Sequence, residues 1–155
     1  MGKVFLGIGS NVGDKEENFR RALCALKKDP EIKIKKESSH YITKAIGGPL
    51  QEDYLNGVVE IETEIIPCKL IEKIKIIERD MGRQILPKDY PRIIDIDILL
   101  YDNIVMDSEN LVIPHPRMHM RYFVLKGLYE VSPHKMHPIL NKTVKELFEN
   151  LIGKG

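Results

Sequence analysis

Most of the usual functional signatures are missing from this chain. Two cysteines, Cys24 and Cys68, stand in 155 residues, with no C-x-x-C pair. That leaves no disulfide framework and no cysteine-built zinc site, and reduced thiols in a cytosolic chain are the simpler reading. The net charge is +1, from 24 basic and 23 acidic side chains. No global field draws the molecule to nucleic acid or to an anionic membrane, so any phosphate must be met by a local cluster. No apolar run is long enough to cross a bilayer, and no secretory leader precedes Lys3-Val4-Phe5-Leu6. Internal repeats and low-complexity linkers are absent. So are the glycine loops that cradle phosphates. The run Gly7-Ile8-Gly9-Ser10-Asn11-Val12-Gly13 has a last gap one residue too long for G-x-G-x-x-G, and there is no G-x-x-x-x-G-K-[ST]. A nucleotide bound here has to be held by charged side chains and metal.

What is present fits one soluble globular domain over residues 1–155. Hydrophobic residues make up 43% and charged residues 30%, enough for a sizeable core. Val4, Leu6 and Ile8 alternate as a first strand. Asp14 caps a helix with Glu17 as its capping-box partner, and Phe19, Ala22, Leu23 and Leu26 form the apolar stripe. A second strand runs from Ile32 through Tyr41. Lys44 to Asp53, with Gly47-Gly48-Pro49, is a loop. Val59, Ile61 and Thr63 alternate with Glu60, Glu62 and Glu64, a strand with one wet face. Pro67 opens a helix carrying Leu70, Ile71, Ile74, Ile77 and Met81 on one side, and Gly82 closes it. A loop from Arg83 to Tyr90 follows, then a strand over Pro91–Tyr101. The order is β-α-β-β-α-β: an α+β, ferredoxin-like core, mainly antiparallel, with helices packed on the sheet. Beyond it come a tight turn at Asp102-Asn103, a short extended piece at Leu111–Pro116, a helix over Arg117–Val131, and a last helix opened by the Thr143/Glu146 capping box.

The informative stretch is Pro91-Arg92-Ile93-Ile94-Asp95-Ile96-Asp97-Ile98-Leu99-Leu100-Tyr101. Strand side chains alternate, so Asp95 and Asp97 share a face while Ile94, Ile96, Ile98 and Leu100 line the other. Two carboxylates about 5 Å apart repel by roughly 3 kcal/mol at an effective dielectric near 20. A divalent ion between them answers that repulsion, and Mg²⁺ in particular takes one or two carboxylates and completes its shell with substrate phosphates. An edge strand with a solvated acidic face, neutralised by Lys or Arg, answers it equally well.

Arg83, Lys88 and Arg92 flank the loop before this strand, and His115, Arg117, His119 and Arg121 follow it. Guanidinium forks match phosphate oxygens bidentately. Carboxylates, metal and mobile cations together are the inventory of phosphoryl-type transfer. His115 and His119 are four apart, but Pro114 and Pro116 bracket His115, so the two need not share a helix face. Tyr54, Asn56 and Phe123 are of the kind that sandwich and read a planar heterocycle, or that fill a core.

Four stretches, in order and over nearly the whole chain, carry a resemblance: Gly9-Ser10-Asn11; Asp53-Tyr54-Leu55-Asn56; Pro91 through Leu100; and Leu111-Val112-Ile113-Pro114-His115-Pro116-Arg117-Met118. The sequence resembles the 6-hydroxymethyl-7,8-dihydropterin pyrophosphokinase family of folate biosynthesis. The resemblance implies an ATP-dependent transferase, a 2-amino-4-hydroxy-6-hydroxymethyldihydropteridine diphosphokinase, that moves pyrophosphate from ATP to the pterin hydroxymethyl group and releases AMP. It implies two Mg²⁺ ions on Asp95 and Asp97, with Arg92 and Arg83 also catalytic. Thr43, Ile46, Tyr54, Asn56 and Phe123 would bind the pterin. Glu78, Arg83, Arg92, Ile98, His115 and Arg121 match positions that contact ATP; the second arginine that members often carry near Gln84 is missing, and Lys88, counted with the ATP contacts, or Tyr90 is the substitute. Asn110 and Val112 replace an Arg and a Thr that some members use near the nucleotide. A cytoplasmic monomer, or a weak homodimer, with no nucleic-acid or membrane partner completes the expectation. The alternative class is a ligand-sensing ferredoxin-like regulatory module without catalysis.

Overall fold

A computed structural model describes residues 2–44, 53–82 and 92–153. Its centre is β1 (Gly2–Ser10), where Val4, Leu6 and Ile8 point to one face of the sheet and Phe5 to the other. α1 (Lys15–Lys28) follows, capped as the sequence implies: the Asp14 carboxylate accepts from the Glu17 N–H at 3.1 Å. Next come β2 (Ile32–Glu37), β3 (Tyr41–Thr43), β4 (Tyr54–Thr63), α2 (Pro67–Asp80) and β5 (Asp95–Tyr101). The sheet runs β2-β4-β1-β5, every pair antiparallel, with β3 extending β4's outer edge beyond β2. The small ribbon β6 (Met106–Asp107) and β7 (Val112–Ile113), a 3₁₀ turn (Met118–Met120), α3 (Tyr122–Val131) and α4 (Val144–Gly153) complete the chain. The Thr143/Glu146 box opens α4 reciprocally, through Glu146 N–H to the Thr143 hydroxyl and Thr143 N–H to the Glu146 carboxylate.

Three layers result. Phe19, Ala22 and Leu26 of α1 and Leu70 and Ile74 of α2 pack on Val4, Leu6, Ile8, Ile96 and Ile98. Val124, Leu128 and Val131 of α3 and Val144 of α4 pack on Phe5, Val58, Leu99 and Leu100 from the other side. Each fully buried side chain of this size contributes about 1.5–3 kcal/mol, so both faces of the sheet are strongly held.

Five local expectations are corrected. The second strand does not continue from Ile32 through Tyr41; it breaks after Glu37. Ser38 bridges the gap, its N–H donating to Val58 O and its hydroxyl accepting from Val58 N–H, both at 2.8 Å, so a side chain replaces a backbone carbonyl and the chain turns away. The aspartate strand begins at Asp95 rather than Pro91. Leu100 does not share a face with Ile96 and Ile98. A register shift between Phe5 and Leu6 leaves Leu99 and Leu100 both on the α3 side and turns Tyr101 into the opposite core. Glu60 is 4% exposed rather than wet, because the C-terminal helices cover its face of β4. Finally, Arg117–Val131 is a 3₁₀ turn and a helix, separated at Arg121, whose backbone is extended.

Candidate active site

The two central positions of β1 that face the α3 side are Gly7 and Gly9. With no side chains there, the middle of the sheet is bare, and a cavity of about 670 Å³ opens over it. The register places flanking side chains in rows across that floor. Gly9 lies between Asn56 of β4 and Asp95 of β5, and Gly7 between Val58 and Asp97. Two inter-strand steps separate the members of each row, about 10 Å. The carboxylates of β5 therefore face the Asn56 amide of β4 across the bare middle of β1. The fit is close: a Cβ at Gly9 would lie 3.0 Å from Asn56 Oδ1.

Asp95 and Asp97 do share a face, and both line this cavity. On the opposite wall Asn56 donates through Nδ2 to the Thr43 hydroxyl at 2.7 Å, which orients its amide, and Tyr54 stands beside it. α3 contributes Phe123, and the extended residue that precedes the helix, Arg121, lines the same side. His115 is placed by its own backbone, donating N–H to Leu99 O at 2.9 Å, and lines the same space. Arg92 lines it at the entry to β5. The structure thus brings together ten of the residues singled out in the sequence, these nine and Arg117.

His119 is not brought there, and neither are two others. Ile98 points to the α1/α2 core and is 3% exposed, since strand alternation puts it opposite Asp97. The expected packing of its side chain on an adenine is not served by this cavity. Glu78 does not line the cavity either. It is 2% exposed on the buried side of α2, and its carboxylate accepts the Ile96 N–H at 2.8 Å, with Lys75 Nζ 3.7 Å from its other oxygen. Ile96 sits between the two aspartates. Glu78 therefore braces the peptide that spaces them. Ile46, Arg83 and Lys88 lie outside the described residues. The sequence reading missed the floor, Gly7 and Gly9, although their two-residue spacing in a strand was the available signal.

Among the described residues no group of three or more His, Cys, Asp or Glu comes together as a metal cluster. The donor set at Asp95 and Asp97 is oxygen-only and open, the kind that suits a hard cation sharing its shell with phosphate and water. No helix of the described residues is long and apolar enough to cross a membrane.

A sheet-floored cavity with paired carboxylates on one side and a ring-sized slot on the other belongs with small-molecule group-transfer enzymes. Comparison with known proteins makes this specific. The family model described as 7,8-dihydro-6-hydroxymethylpterin-pyrophosphokinase matches residues 5–133, and the chain belongs to that family, the pyrophosphokinases of folate biosynthesis. It is 40% identical over 146 residues to a 2-amino-4-hydroxy-6-hydroxymethyldihydropteridine pyrophosphokinase of Aquifex aeolicus, covering 94% of this chain and 90% of that one. The Bacillus subtilis protein of the same name is 39% identical over 128 residues, covering 83% and 77%. Other relatives are longer: the folic acid synthesis protein fol1 of Schizosaccharomyces pombe is 38% identical, with 98% of this chain matched to 21% of it. Among solved structures, Plasmodium falciparum HPPK-DHPS with pteroate has the same fold at a TM-score of 0.78 and 17% identity, over 99% of this chain and 43% of that one.

Proposed function

We propose that the cavity over β1 is where this pyrophosphokinase joins its two substrates, ATP and 6-hydroxymethyl-7,8-dihydropterin, and that residues 1–155 form one catalytic domain. The observation that carries the reading is the pair of facing sides: Asp95 and Asp97 on β5, and Asn56 on β4 about 10 Å away across two strand spacings, with Tyr54 beside it and Phe123 on α3 lining the same cavity. Tyr54 and Phe123 stack on the pterin faces, and Asn56, oriented by Thr43, reads its edge. The hydroxymethyl group then projects over Gly9 and Gly7 toward the carboxylates. Arg92, His115 and Arg121 supply positive charge for the phosphates. Mg²⁺, held by Asp95 and Asp97, would neutralise charge on the triphosphate; two ions are the family expectation. The hydroxyl oxygen attacks the β-phosphorus, its proton passes to Asp97, and the α–β bridge breaks to release AMP with the bridging oxygen.

The strand order β2-β4-β1-β5 supports the ferredoxin-like reading of the core: the last strand lies beside the first, with the third between the first and the second once β3 is counted as a continuation of β2. A cytoplasmic monomer remains the working form. The non-catalytic regulatory module is set aside, since the relatives named above are pyrophosphokinases.

The direct test is AMP release from ATP. AMP forms only when the hydroxymethyl dihydropterin and Mg²⁺ are both present. Asp95→Asn and Asp97→Asn abolish it with melting temperatures close to wild type. AMP formation without pterin, or either variant turning over normally, contradicts the site assignment.

A further inference from the structure

The motif Gly9-Ser10-Asn11 enters the resemblance, yet the reaction above gives no work to Asn11. Its surroundings assign some. Asn11 is 1% exposed, an unusual place for an amide that touches no substrate. Its side-chain Oδ1 accepts the Arg92 N–H at 2.8 Å, and its own N–H donates to Arg92 O at 3.1 Å. Both backbone groups of Arg92 are thus taken by one residue. This matters because sheet pairing of β5 starts only at Asp95, opposite Gly9. Residues 92–94 lead into the strand ahead of that ladder, and Ile94 is fully buried.

The turn carrying Asn11 is itself braced. Asn18 on α1, also buried, spends both amide hydrogens on it: one to the Ser10 hydroxyl at 3.1 Å and one to Val12 O at 2.8 Å. A chain of side chains therefore runs from α1 through the turn to Arg92, and Arg92 lines the cavity with Asp95 and Asp97.

We infer that Asn11 is a positioning residue for the transfer: by clamping the Arg92 backbone it holds that guanidinium in register with the two aspartates. The inference rests on the placement of Arg92 at the phosphates. It follows that Asn11 acts through Arg92 and not on the pterin wall, which belongs to β3, β4 and α3.

A double-mutant cycle tests it, with steady-state AMP formation from ATP, Mg²⁺ and 6-hydroxymethyl-7,8-dihydropterin as the assay. Asn11→Ala lowers kcat by about tenfold to a hundredfold, the scale of a misplaced catalytic group. KM for the pterin stays within about twofold. In an Arg92→Ala background the same substitution changes kcat by less than about twofold, because residues that act as one unit are not additive. Asn11→Ser, whose hydroxyl is too short to span to Arg92 N, shows the same coupling. An equal proportional loss in both backgrounds overturns the inference, since a structural lesion does not know whether Arg92 is present. Loss of pterin binding in both Asn11 variants overturns it as well. If Arg92→Ala itself keeps wild-type kcat, the phosphate role given to Arg92 fails, and that result is distinct from additive losses.

Discussion

Alanine introduced at two glycines separates the two jobs glycine does in this molecule. Gly127 lies in α3 where the helix crosses β4. A Cβ there would fall 2.5 Å from Val58 Cγ2 and 3.0 Å from Val58 Cβ, against a comfortable carbon separation of about 3.5–4.0 Å. Val58 is β-branched and stiff, and it sits in a strand paired on both sides, so the helix has to lift. Overpacking of this kind costs about 1–3 kcal/mol, and the better helix propensity of Ala returns about 1 kcal/mol. Given the severity of the overlap, a net loss of roughly 1–2 kcal/mol is expected. For a chain of this length that lowers Tm by roughly 2–8 °C. At Gly9 the nearest atom is Asn56 Oδ1 at 3.0 Å, the end of a movable side chain, with Tyr54 Cδ1 next at 3.6 Å. The fold yields there without damage, and Ala in place of Gly in a strand gains about 0.5–1 kcal/mol. Function is hit instead. Asn56 shifts from its 2.7 Å bond to Thr43, and a hydrogen bond's worth of orientation, about 0.5–1.5 kcal/mol, is lost to the pterin. Thermal melting with KM for each substrate distinguishes the outcomes: Gly127→Ala melts early, while Gly9→Ala melts at or above wild type with KM for the pterin raised about twofold to tenfold. Equal destabilisation at both glycines, or an unchanged pterin KM in Gly9→Ala, refutes the bare-strand account of the cavity.

Three further outcomes are expected. Glu78→Ala leaves the buried Ile96 N–H without its carboxylate and costs about 1–3 kcal/mol, read as a lower denaturation midpoint; a midpoint equal to wild type contradicts the bracing role. His137 Nδ1 accepts from Ile139 N–H at 3.2 Å and Leu140 N–H at 3.1 Å, and burial first, then nearby His119, holds its pKa below the ordinary imidazole value. The unfolded chain takes this proton first as pH falls, so stability is complete above about pH 6.5 and is lost below it toward the lower folded pKa; Tm measured across that window falls in the wild type and falls less in His137→Asn, whose amide oxygen accepts the same N–H groups. Tyr54→Ala weakens pterin binding more than ATP binding, and calorimetry showing equal losses rejects the stacking role.

How far the sequence reached depended on whether a feature was encoded along one strand or between two. The period-2 spacing of Asp95 and Asp97 was enough to put both on one face, because no other strand is needed for that. Leu100 was misplaced by the same rule, since the bulge that carries it across comes from pairing with Phe5 and Leu6. Glu60 looked wet because nothing in its own strand shows that α3 and α4 return to cover it. Glu78 was legible in retrospect: Leu70, Ile74 and Glu78 are four apart, so the carboxylate lies on the buried stripe of α2. Gly7 and Gly9 do not fit the spacing of a phosphate-cradling glycine motif, and along one strand their alternation does not by itself announce two missing side chains over a cavity. The contacts of Ile46, Arg83 and Lys88 fall outside the described residues.

The cavity's position follows from these same few residues. A sheet covered by helices on both faces normally has no room for a ligand at its centre, since facing side chains interdigitate at crystal-like density. Here the layer between β1 and α3 is filled at one end by Phe5, Leu100 and Leu128 and left empty at the other, where Gly7 and Gly9 replace larger residues. The empty end is also where two carboxylates would repel most strongly if they faced each other alone. The strand pair β1 and β5 loses packing at Gly7 and Gly9 on the cavity face and is held together by its other face, where Leu6, Ile8, Ile96 and Ile98 are buried against both helices. That division predicts that substitutions on the α1/α2 side, such as Ile96→Ala, cost about 2–5 kcal/mol, whereas neutralising either aspartate leaves Tm unchanged or raises it. A melting temperature that falls in Asp95→Asn as far as in Ile96→Ala contradicts the division of labour between the two faces.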